Sequence, residues 1–171
     1  NDEFIKAQID PRDHIEITRD LFIVACWTGL RFGDWKDLSE ANINDDTMVV
    51  HTHKTDKTVI IPLHPVVKAI IAKYGGVLPK SVDKSKTLKH IRKCAEWAGI
   101  TEPVILSRVK GGQTETKNGA KYEFLMNHTA RRSFATNMYL KGVPTISIMA
   151  ITGHTTEANF LKYIKVDKLQ H

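Results

Sequence analysis

The chain has 171 residues, which favours one domain large enough to bury a sizeable hydrophobic core. Its composition, 42% hydrophobic and 26% charged, is typical of a folded soluble protein, and no apolar run approaches the roughly 20 residues that span a bilayer, so we expect a cytoplasmic protein without a membrane partner. The 25 Lys and Arg residues against 19 Asp and Glu give a formal charge of +6, which favours a polyanionic partner without requiring one.

The first strongly apolar segment begins at Ile15, after residues 1–14, which predict a short helix and a linker. Residues 21–27 predict a buried helix that ends at Gly29. Arg31 follows this turn and begins a second short helix, in which Asp34 shares its face. We expect the packed helix to fix Arg31 in place and the Asp34 carboxylate to orient its guanidinium, although a weak surface ion pair would have the same spacing.

Residues 42–63 alternate between apolar and polar side chains, which predicts a small antiparallel sheet. The tip of its last hairpin carries Lys54 and Lys57, and Asp56 can adopt the left-handed conformation that the turn needs. A lysine at such a tip is ordinarily only solvated, but a mobile tip can also fold over a ligand and deliver a proton. The strands are predicted at 42–44, 47–53 and 58–63.

His51 and His53 lie two residues apart on a predicted strand and therefore on one face, like a pair of metal ligands. No third ligand and no cysteine accompany them in the sequence. An exposed sheet face explains the two histidines better, and we expect no metal site.

Two amphipathic helices are predicted at 66–74 and 84–98, each followed by glycine. The outer face of the second helix is strongly basic. Such a face is often only solvated, but it can also follow a phosphate backbone through contacts that do not depend on base sequence. Residues 104–126 look extended at both ends, 104–106 and 122–125, around a polar span, and predict a flexible excursion that could face DNA.

Residues 128–140 predict a helix in which His128 and Arg131 share one face. A permanently charged guanidinium beside a titratable imidazole suits a phosphate that must be gripped while protons move, although a solvated basic helix would show the same pair. A short helix at 145–152 ends at Gly153, directly before His154, and Tyr163 follows nine residues later on a last helix. Tyr163 alone would be taken as a tyrosine at the edge of the core.

Taken in order, these residues resemble the catalytic domain of the tyrosine recombinases, the phage- and transposon-type integrases, over roughly residues 18–166. The resemblance implies an α+β fold that is mainly α-helical with a small three-stranded antiparallel sheet. It also implies a single catalytic domain over 1–171, without the N-terminal core-binding domain usual in the family. The positions that carry it are Arg31, Lys54, His128, Arg131, His154 and Tyr163.

The resemblance further implies cleavage and rejoining of DNA strands without a metal or cofactor. Tyr163 would attack the scissile phosphate and form a 3′-phosphotyrosyl intermediate, with a free 5′-hydroxyl on the other strand end. Arg31 and Arg131 would neutralise the phosphate, since both stay charged at every relevant pH. Lys54 would protonate the departing 5′-oxygen, with Lys57 as the competing choice on the same turn.

The remaining roles follow from the same resemblance. His128 would accept or relay the tyrosine proton, His154 would donate a hydrogen bond to the phosphate, and Asp34 would be the acidic companion of the first arginine. The partner would be double-stranded DNA, bound as a tetramer by the full-length protein, with this fragment a monomer. Alternatives are a type IB topoisomerase and a non-catalytic DNA-binding module. Candidates for contacts with the DNA backbone are Lys57, Lys86, Lys89, Arg92, Lys93 and Arg132.

Overall fold

The computed structural model describes residues 11–44, 46–54 and 56–164. It confirms an α+β fold that is mainly α-helical and contains a three-stranded antiparallel sheet. Among the helices of this part of the chain, none has the length and apolarity needed to cross a bilayer. The helices are α1 (Pro11–Thr28), α2 (Phe32–Trp35), α3 (Pro65–Lys73), α4 (Lys84–Trp97), α5 (Thr129–Leu140), α6 (Thr145–Thr152) and α7 (Glu157–Ile164). Short 3-10 turns lie at Leu38–Glu40 and Lys121–Phe124.

Helix α1 is the centre of the main hydrophobic core. Its residues Leu21, Val24 and Ala25 are completely buried, and it packs against α3, α4 and α5. The helix begins at Pro11, earlier than the apolar pattern suggested, because proline suits a first helical turn whose N–H groups have no partner within the helix. Residues 1–10, which make up the rest of the predicted short helix and linker, lie outside the described ranges.

The three-stranded sheet lies against this core in the order β1 (Asn42–Ile43), β2 (Thr47–Thr52), β3 (Lys57–Pro62). Val50 pairs with Val59, and Thr52 pairs with Lys57 at the hairpin end. Asp56 adopts a φ of +49°, which confirms the left-handed conformation expected for it in the turn. The pairing of β2 with β3 therefore fixes the register of the hairpin whose turn carries Lys54.

The expectation for residues 104–126 is confirmed at 104–106, which are extended, and is wrong for the rest of the segment. Strands β4 (Pro103–Lys110) and β5 (Gln113–Ala120) form a regular two-stranded hairpin, turned at Gly111 and Gly112, both of which have positive φ. Residues 122–124, expected to be extended, lie in the second 3-10 turn. The polar sequence of β5 hid the strand: its first six residues are exposed, so no alternation of apolar and polar residues marks it.

A second, smaller hydrophobic cluster joins the last three helices. Phe134 of α5 and Ile148 of α6 pack with Phe160 and Ile164 of α7. Helix α5 also contributes Ala130 to the main core, so this helix connects the two clusters. The C-terminal helix that carries Tyr163 is therefore held through α5 and α6.

Gly29 generates the first prediction. It has a φ of +68°, and a Cβ added there would lie 2.4 Å from Cδ1 of the buried Phe134 ring. Gly29→Ala should lower the free energy of unfolding by about 2–5 kcal/mol, because it adds a steric clash to backbone strain. Urea denaturation followed by circular dichroism measures this change.

The matched control is Gly75→Ala, since Gly75 has the same φ of +68° with no atom within 4 Å of the added Cβ. This variant should cost only the backbone strain, about 1–2 kcal/mol. Equal losses in the two variants would mean that Phe134 moves aside without cost.

Candidate active site

Arg131 is a buried cation at the junction of α1 and α5. Only 3% of the residue is exposed, and its Nη1 donates a 2.7 Å hydrogen bond to the carbonyl oxygen of Gly29. Burial, followed by the charge of Arg31, lowers the pKa of Arg131 to about 10. The group remains protonated at neutral pH, so the fold places a permanent positive charge at this point.

Arg31 lies beside it at the N-cap of α2. Its carbonyl accepts hydrogen bonds from the N–H groups of Asp34 and Trp35, which fixes the backbone at the start of the helix. Its Nη2 lies 3.4 Å from the carbonyl oxygen of Thr152, at the end of α6. The two arginines predicted to bind a phosphate are thus brought to one place by α1, α2, α5 and α6.

Tyr163 and His128 form a direct hydrogen-bonded pair. The tyrosine Oη lies 3.0 Å from the histidine Nε2, and the two rings meet edge to face with centroids 5.4 Å apart. His128 is the N-cap of α5, yet its side chain makes no capping hydrogen bond. The imidazole is therefore available to the phenol of α7.

The environment determines the protonation of this pair. Partial desolvation, followed by the charges of Arg131, Arg132, Arg31 and His154, lowers the pKa of His128 below its ordinary value. Burial raises the pKa of Tyr163, although Arg131 and Arg132 act in the opposite direction. At neutral pH the phenol is thus protonated and the imidazole neutral, which assigns the hydroxyl as donor and Nε2 as acceptor.

His154 completes the cluster. It follows Gly153, whose φ of +61° ends α6 in the left-handed conformation, and its ring centroid lies 4.7 Å from that of Tyr163. Its Nδ1 lies 2.8 Å from Oγ1 of the buried Thr152, and that hydroxyl donates a 2.7 Å hydrogen bond to the carbonyl of Ile148. The hydroxyl must therefore accept from Nδ1–H of the histidine, which leaves Nε2 as its free nitrogen. Burial, followed by the charges of the two arginines, lowers the pKa of His154.

Asp34 is placed differently from the expectation. It is 4% exposed, and its Oδ1 accepts a 2.9 Å hydrogen bond from the N–H of His53 and lies 3.3 Å from Nδ1 of the same residue. Its Oδ2 is buried without a hydrogen-bond partner in the part of the chain that the structure describes. The carboxylate therefore joins α2 to the end of β2, and within the described ranges it makes no ion pair with Arg31. Spacing along a helix indicated a shared face but could not reveal that this face packs on the sheet.

Of the six residues predicted to be catalytic, Lys54 has no contact with the other five in the part of the chain that the structure describes. Its side chain is exposed on the hairpin turn and makes no hydrogen bond or ion pair with a described residue. Lys57, the competing choice, is also exposed, at the first position of β3. His53, the residue before Lys54, is bound by Asp34, and this contact connects the hairpin turn to α2.

The two histidines of β2 and its end do not converge. His51 Nε2 lies 2.9 Å from Oδ1 of Asp56, whereas His53 contacts Asp34. Among the residues of the described ranges, no group of three or more His, Cys, Asp or Glu side chains could hold a metal ion.

The basic face of α4 contains two kinds of side chain. Arg92 is half-buried, and its Nε donates a 3.1 Å hydrogen bond to the carbonyl of Leu125, so it contributes to packing. Lys86 and Lys93 are exposed and lie 3.7 Å and 3.3 Å from acidic residues of the same helix or its cap. Lys89 is exposed and has no ion pair within the described part of the chain.

Two features of the site were not predicted. Thr152 is completely buried and contacts both Arg31 and His154, and its only signal in the sequence is its position two residues before the histidine. Arg132, predicted as a backbone contact for DNA, lies with its Cζ 5.5 Å from the ring centroid of Tyr163. Contacts between distant elements of this kind cannot be derived from spacing alone.

Comparison with known proteins places this geometry in a family. A family model described as the phage integrase family matches residues 5–170. The chain is 27% identical over 146 residues to tyrosine recombinase XerC of Rickettsia typhi, covering 84% of this chain and 45% of that protein. The chain spans about half the length of the curated relatives it matches.

Solved structures show the same fold. The XerH site-specific recombinase bound to palindromic difH substrate, in a post-cleavage complex, matches with a TM-score of 0.63 and 18% identity over 96% of this chain and 46% of that one. A lambda integrase (75–356) dimer bound to a COC′ core site matches with a TM-score of 0.59 and 20% identity over 98% of this chain and 60% of that one. At these identities the likeness establishes the fold alone.

The ionisation of His128 can be measured in the free protein. Its imidazole should titrate below the ordinary histidine pKa of about 6.5, because desolvation and neighbouring arginines disfavour the charged form. Proton NMR of the ring resonances over a pH series measures this, and His128→Gln identifies the resonance. A titration at or above 6.5 would contradict this expectation, because burial and the neighbouring arginines would then not disfavour the charged imidazole.

Proposed function

Since the chain belongs to the phage integrase family, we propose that it is the catalytic domain of a site-specific DNA recombinase that cuts and rejoins strands through a 3′-phosphotyrosyl on Tyr163, without a metal. The observation that carries the proposal is the 3.0 Å hydrogen bond between the Tyr163 hydroxyl and His128 Nε2, beside two fixed arginines. It joins a nucleophile, a neutral base and a cationic site for an anion within one chain.

Arg31 and Arg131, here called the phosphate clamp, neutralise the nonbridging oxygens of the scissile phosphate. Arg131 uses one N–H group for the Gly29 carbonyl and retains others for a ligand. Because the clamp is fixed by the fold before DNA binds, little reorganisation accompanies the reaction. Removing one such preorganised donor typically costs about 2.7–4 kcal/mol of transition-state stabilisation.

Tyr163 supplies the nucleophilic oxygen. Burial raises the pKa of its phenol, so the hydroxyl needs a base, and His128 is neutral and already in contact. As the proton passes to Nε2, Oη forms a bond to phosphorus and the bond to the 5′-oxygen breaks. The phosphodiester energy is retained in the phosphotyrosyl bond, so attack by a 5′-hydroxyl reverses the step and rejoins a strand.

Lys54 is the general acid for the departing 5′-oxygen. Its ammonium is exposed at the hairpin tip, where it can approach bound DNA, while the neighbouring His53 is held by Asp34. That contact attaches the hairpin tip to α2, the helix that begins beside Arg31. Deprotonated Lys54 then takes the proton back from the 5′-hydroxyl in the reverse step.

His154 donates a hydrogen bond to the phosphate as an imidazolium. Thr152 already binds Nδ1–H, so the free Nε2 can donate only after it has gained a second proton. The negative charge of a bound phosphate favours that proton, whereas burial and the two arginines disfavour it in the free protein. Binding of the phosphate and protonation of His154 are therefore linked.

Double-stranded DNA is the partner. The formal charge of +6, the exposed lysines of α4 and the cationic pocket support it, as do the difH substrate and the COC′ core site named for the similar XerH and lambda integrase structures. In the full-length protein, four chains assemble on two DNA sites in the cytoplasm.

A suicide DNA substrate, nicked so that religation cannot occur, tests the proposed reaction. The wild-type chain should form a covalent protein–DNA adduct that survives denaturing electrophoresis, and Tyr163→Phe should form none, because it lacks the nucleophilic oxygen. The same gel with EDTA present should show an undiminished adduct.

The outcomes separate the competing functions. DNA binding by both proteins without an adduct from either would favour a non-catalytic DNA-binding module. Adduct formation with relaxation of supercoiled DNA but no strand exchange between two sites would favour a topoisomerase. Loss of the adduct on chelation would contradict the metal-free reaction.

DNA affinity should fall steeply with salt, because each neutralised phosphate releases counterions. Lys89→Gln should reduce the slope of log affinity against log salt concentration by about 0.9, the contribution of one phosphate contact. Fluorescence anisotropy with labelled duplex measures the slope. Lys68→Gln, an equal charge change on α3 at a lysine paired with Asp46, should leave it unchanged. Equal slopes for Lys89→Gln and wild type would remove Lys89 from the interface.

A further inference from the structure

Two consecutive arginines of α5 point to different surroundings. Arg131 is buried against Gly29, whereas Arg132 is exposed with its guanidinium carbon 5.5 Å from the ring centroid of Tyr163. Successive residues of an α-helix are about 100° apart around its axis, which separates the two side chains. Arg132 instead follows His128 by one turn, and its N–H donates to the His128 carbonyl at 3.2 Å.

His128 and Arg132 therefore contact Tyr163 from the same face of α5. The imidazole binds the hydroxyl, and the guanidinium lies over the face of the ring, an arrangement in which a cation is attracted to π electrons. Tyr163 lies in the last turn of α7, whose buried anchors are Phe160 and Ile164. Side-chain contacts, rather than the helix alone, thus set the direction of the phenol.

We propose that Arg132 is a positioning residue for the Tyr163 nucleophile, holding the ring and placing a permanent positive charge beside the phenolate as it forms, rather than a contact to the DNA backbone. This inference rests on the proposed function, in which Tyr163 attacks a phosphate. It replaces the role that the sequence suggested for Arg132.

Among the charged groups around Tyr163, Arg132 has a role that the others do not share. The phenol is faced by His128, Arg131 and Arg132 from α5, by Arg31 from the start of α2, and by His154 beyond α6. Once the phosphate clamp binds a phosphate, its two charges are largely neutralised by that anion. His128 takes up the tyrosine proton. Arg132, which lies over the ring, adds a positive charge that neither the phosphate nor this proton transfer removes.

The experiment compares adduct formation on the suicide substrate, at saturating DNA and over a pH series, for wild type, Arg132→Gln and Arg132→Lys. Arg132→Gln should slow adduct formation about two- to fivefold, in line with an exposed cation–π contact. It should also shift to higher pH the part of the profile in which the rate rises as the phenol ionises, because losing the cation raises the apparent pKa of the phenol. Arg132→Lys, which keeps the charge but not the planar guanidinium, should retain the wild-type pH profile with a reduced rate.

Lys162→Gln is the matched control, because it removes one positive charge from an exposed residue next to Tyr163 on α7. Its rate and pH profile should equal those of wild type. A wild-type rate at saturating DNA for Arg132→Gln, together with a salt slope reduced by about 0.9, would identify a backbone contact and overturn the proposal.

A measurement without DNA separates this inference from the proposed function. The ultraviolet difference titration of each protein against its Tyr163→Phe counterpart gives the pKa of the Tyr163 phenol directly. Arg132→Gln should raise that pKa and Lys162→Gln should leave it unchanged. An unchanged pKa in Arg132→Gln would overturn the inference even if wild type forms the adduct, whereas a missing wild-type adduct with a raised pKa would overturn the proposed reaction alone.

Discussion

The hydrogen bond from the buried Arg131 guanidinium to the Gly29 carbonyl is the constraint on which the site depends. Because only 3% of Arg131 is exposed, its position in the fold is set by the groups packed around it and not by solvent. Gly29 has no Cβ, and the Phe134 ring packs in the space into which a Cβ would project. The end of α1, the middle of α5 and the hydrophobic cluster of the C-terminal helices are therefore fixed together, and Arg31 follows Gly29 by two residues.

Positive charge predominates around Arg131 in the site. Arg31, Arg131 and Arg132 act on two histidines and a tyrosine, while the nearby carboxylate of Asp34 is directed to His53. Burial and repulsion between like charges keep His128 and His154 neutral in the free protein, which makes His128 a proton acceptor at neutral pH. A phosphate would reverse this balance at His154 by stabilising its charged form. In the proposed reaction, the cations thus keep His128 neutral as a base, and a bound phosphate favours the second proton that makes Nε2 of His154 a donor.

Much of the fold could be predicted because its signals are local. The apolar pattern of α1, the glycines that end helices and the left-handed Asp56 each follow from a few neighbouring residues. Strand β5 could not be recognised, since its polar residues are ordered by pairing with β4 and not by burial. The roles of Thr152 and Asp34 depend on which distant element each side chain meets, and a shared helical face does not contain that information. The site residues were predicted from their order along the chain, which resembles that of the family, and not from the periodicity of apolar residues.

The two hydrophobic clusters divide the site into parts of different rigidity. The two arginines of the phosphate clamp lie where α1, α2 and α5 meet beside the main core, whereas Tyr163 lies on α7, which is anchored by Phe160 and Ile164 in the smaller cluster. Ile164 buries the end of α7, and the contacts of His128, Arg132 and His154 with Tyr163 add to the orientation of its ring. Two of these, His128 and Arg132, belong to the helix that also carries Arg131. Helix α5 therefore connects Tyr163 with Arg131, although the two residues are supported by different hydrophobic clusters. In the proposed strand transfer this arrangement has a use, because the phenol would leave the phosphorus and return to it while the clamp stays in place.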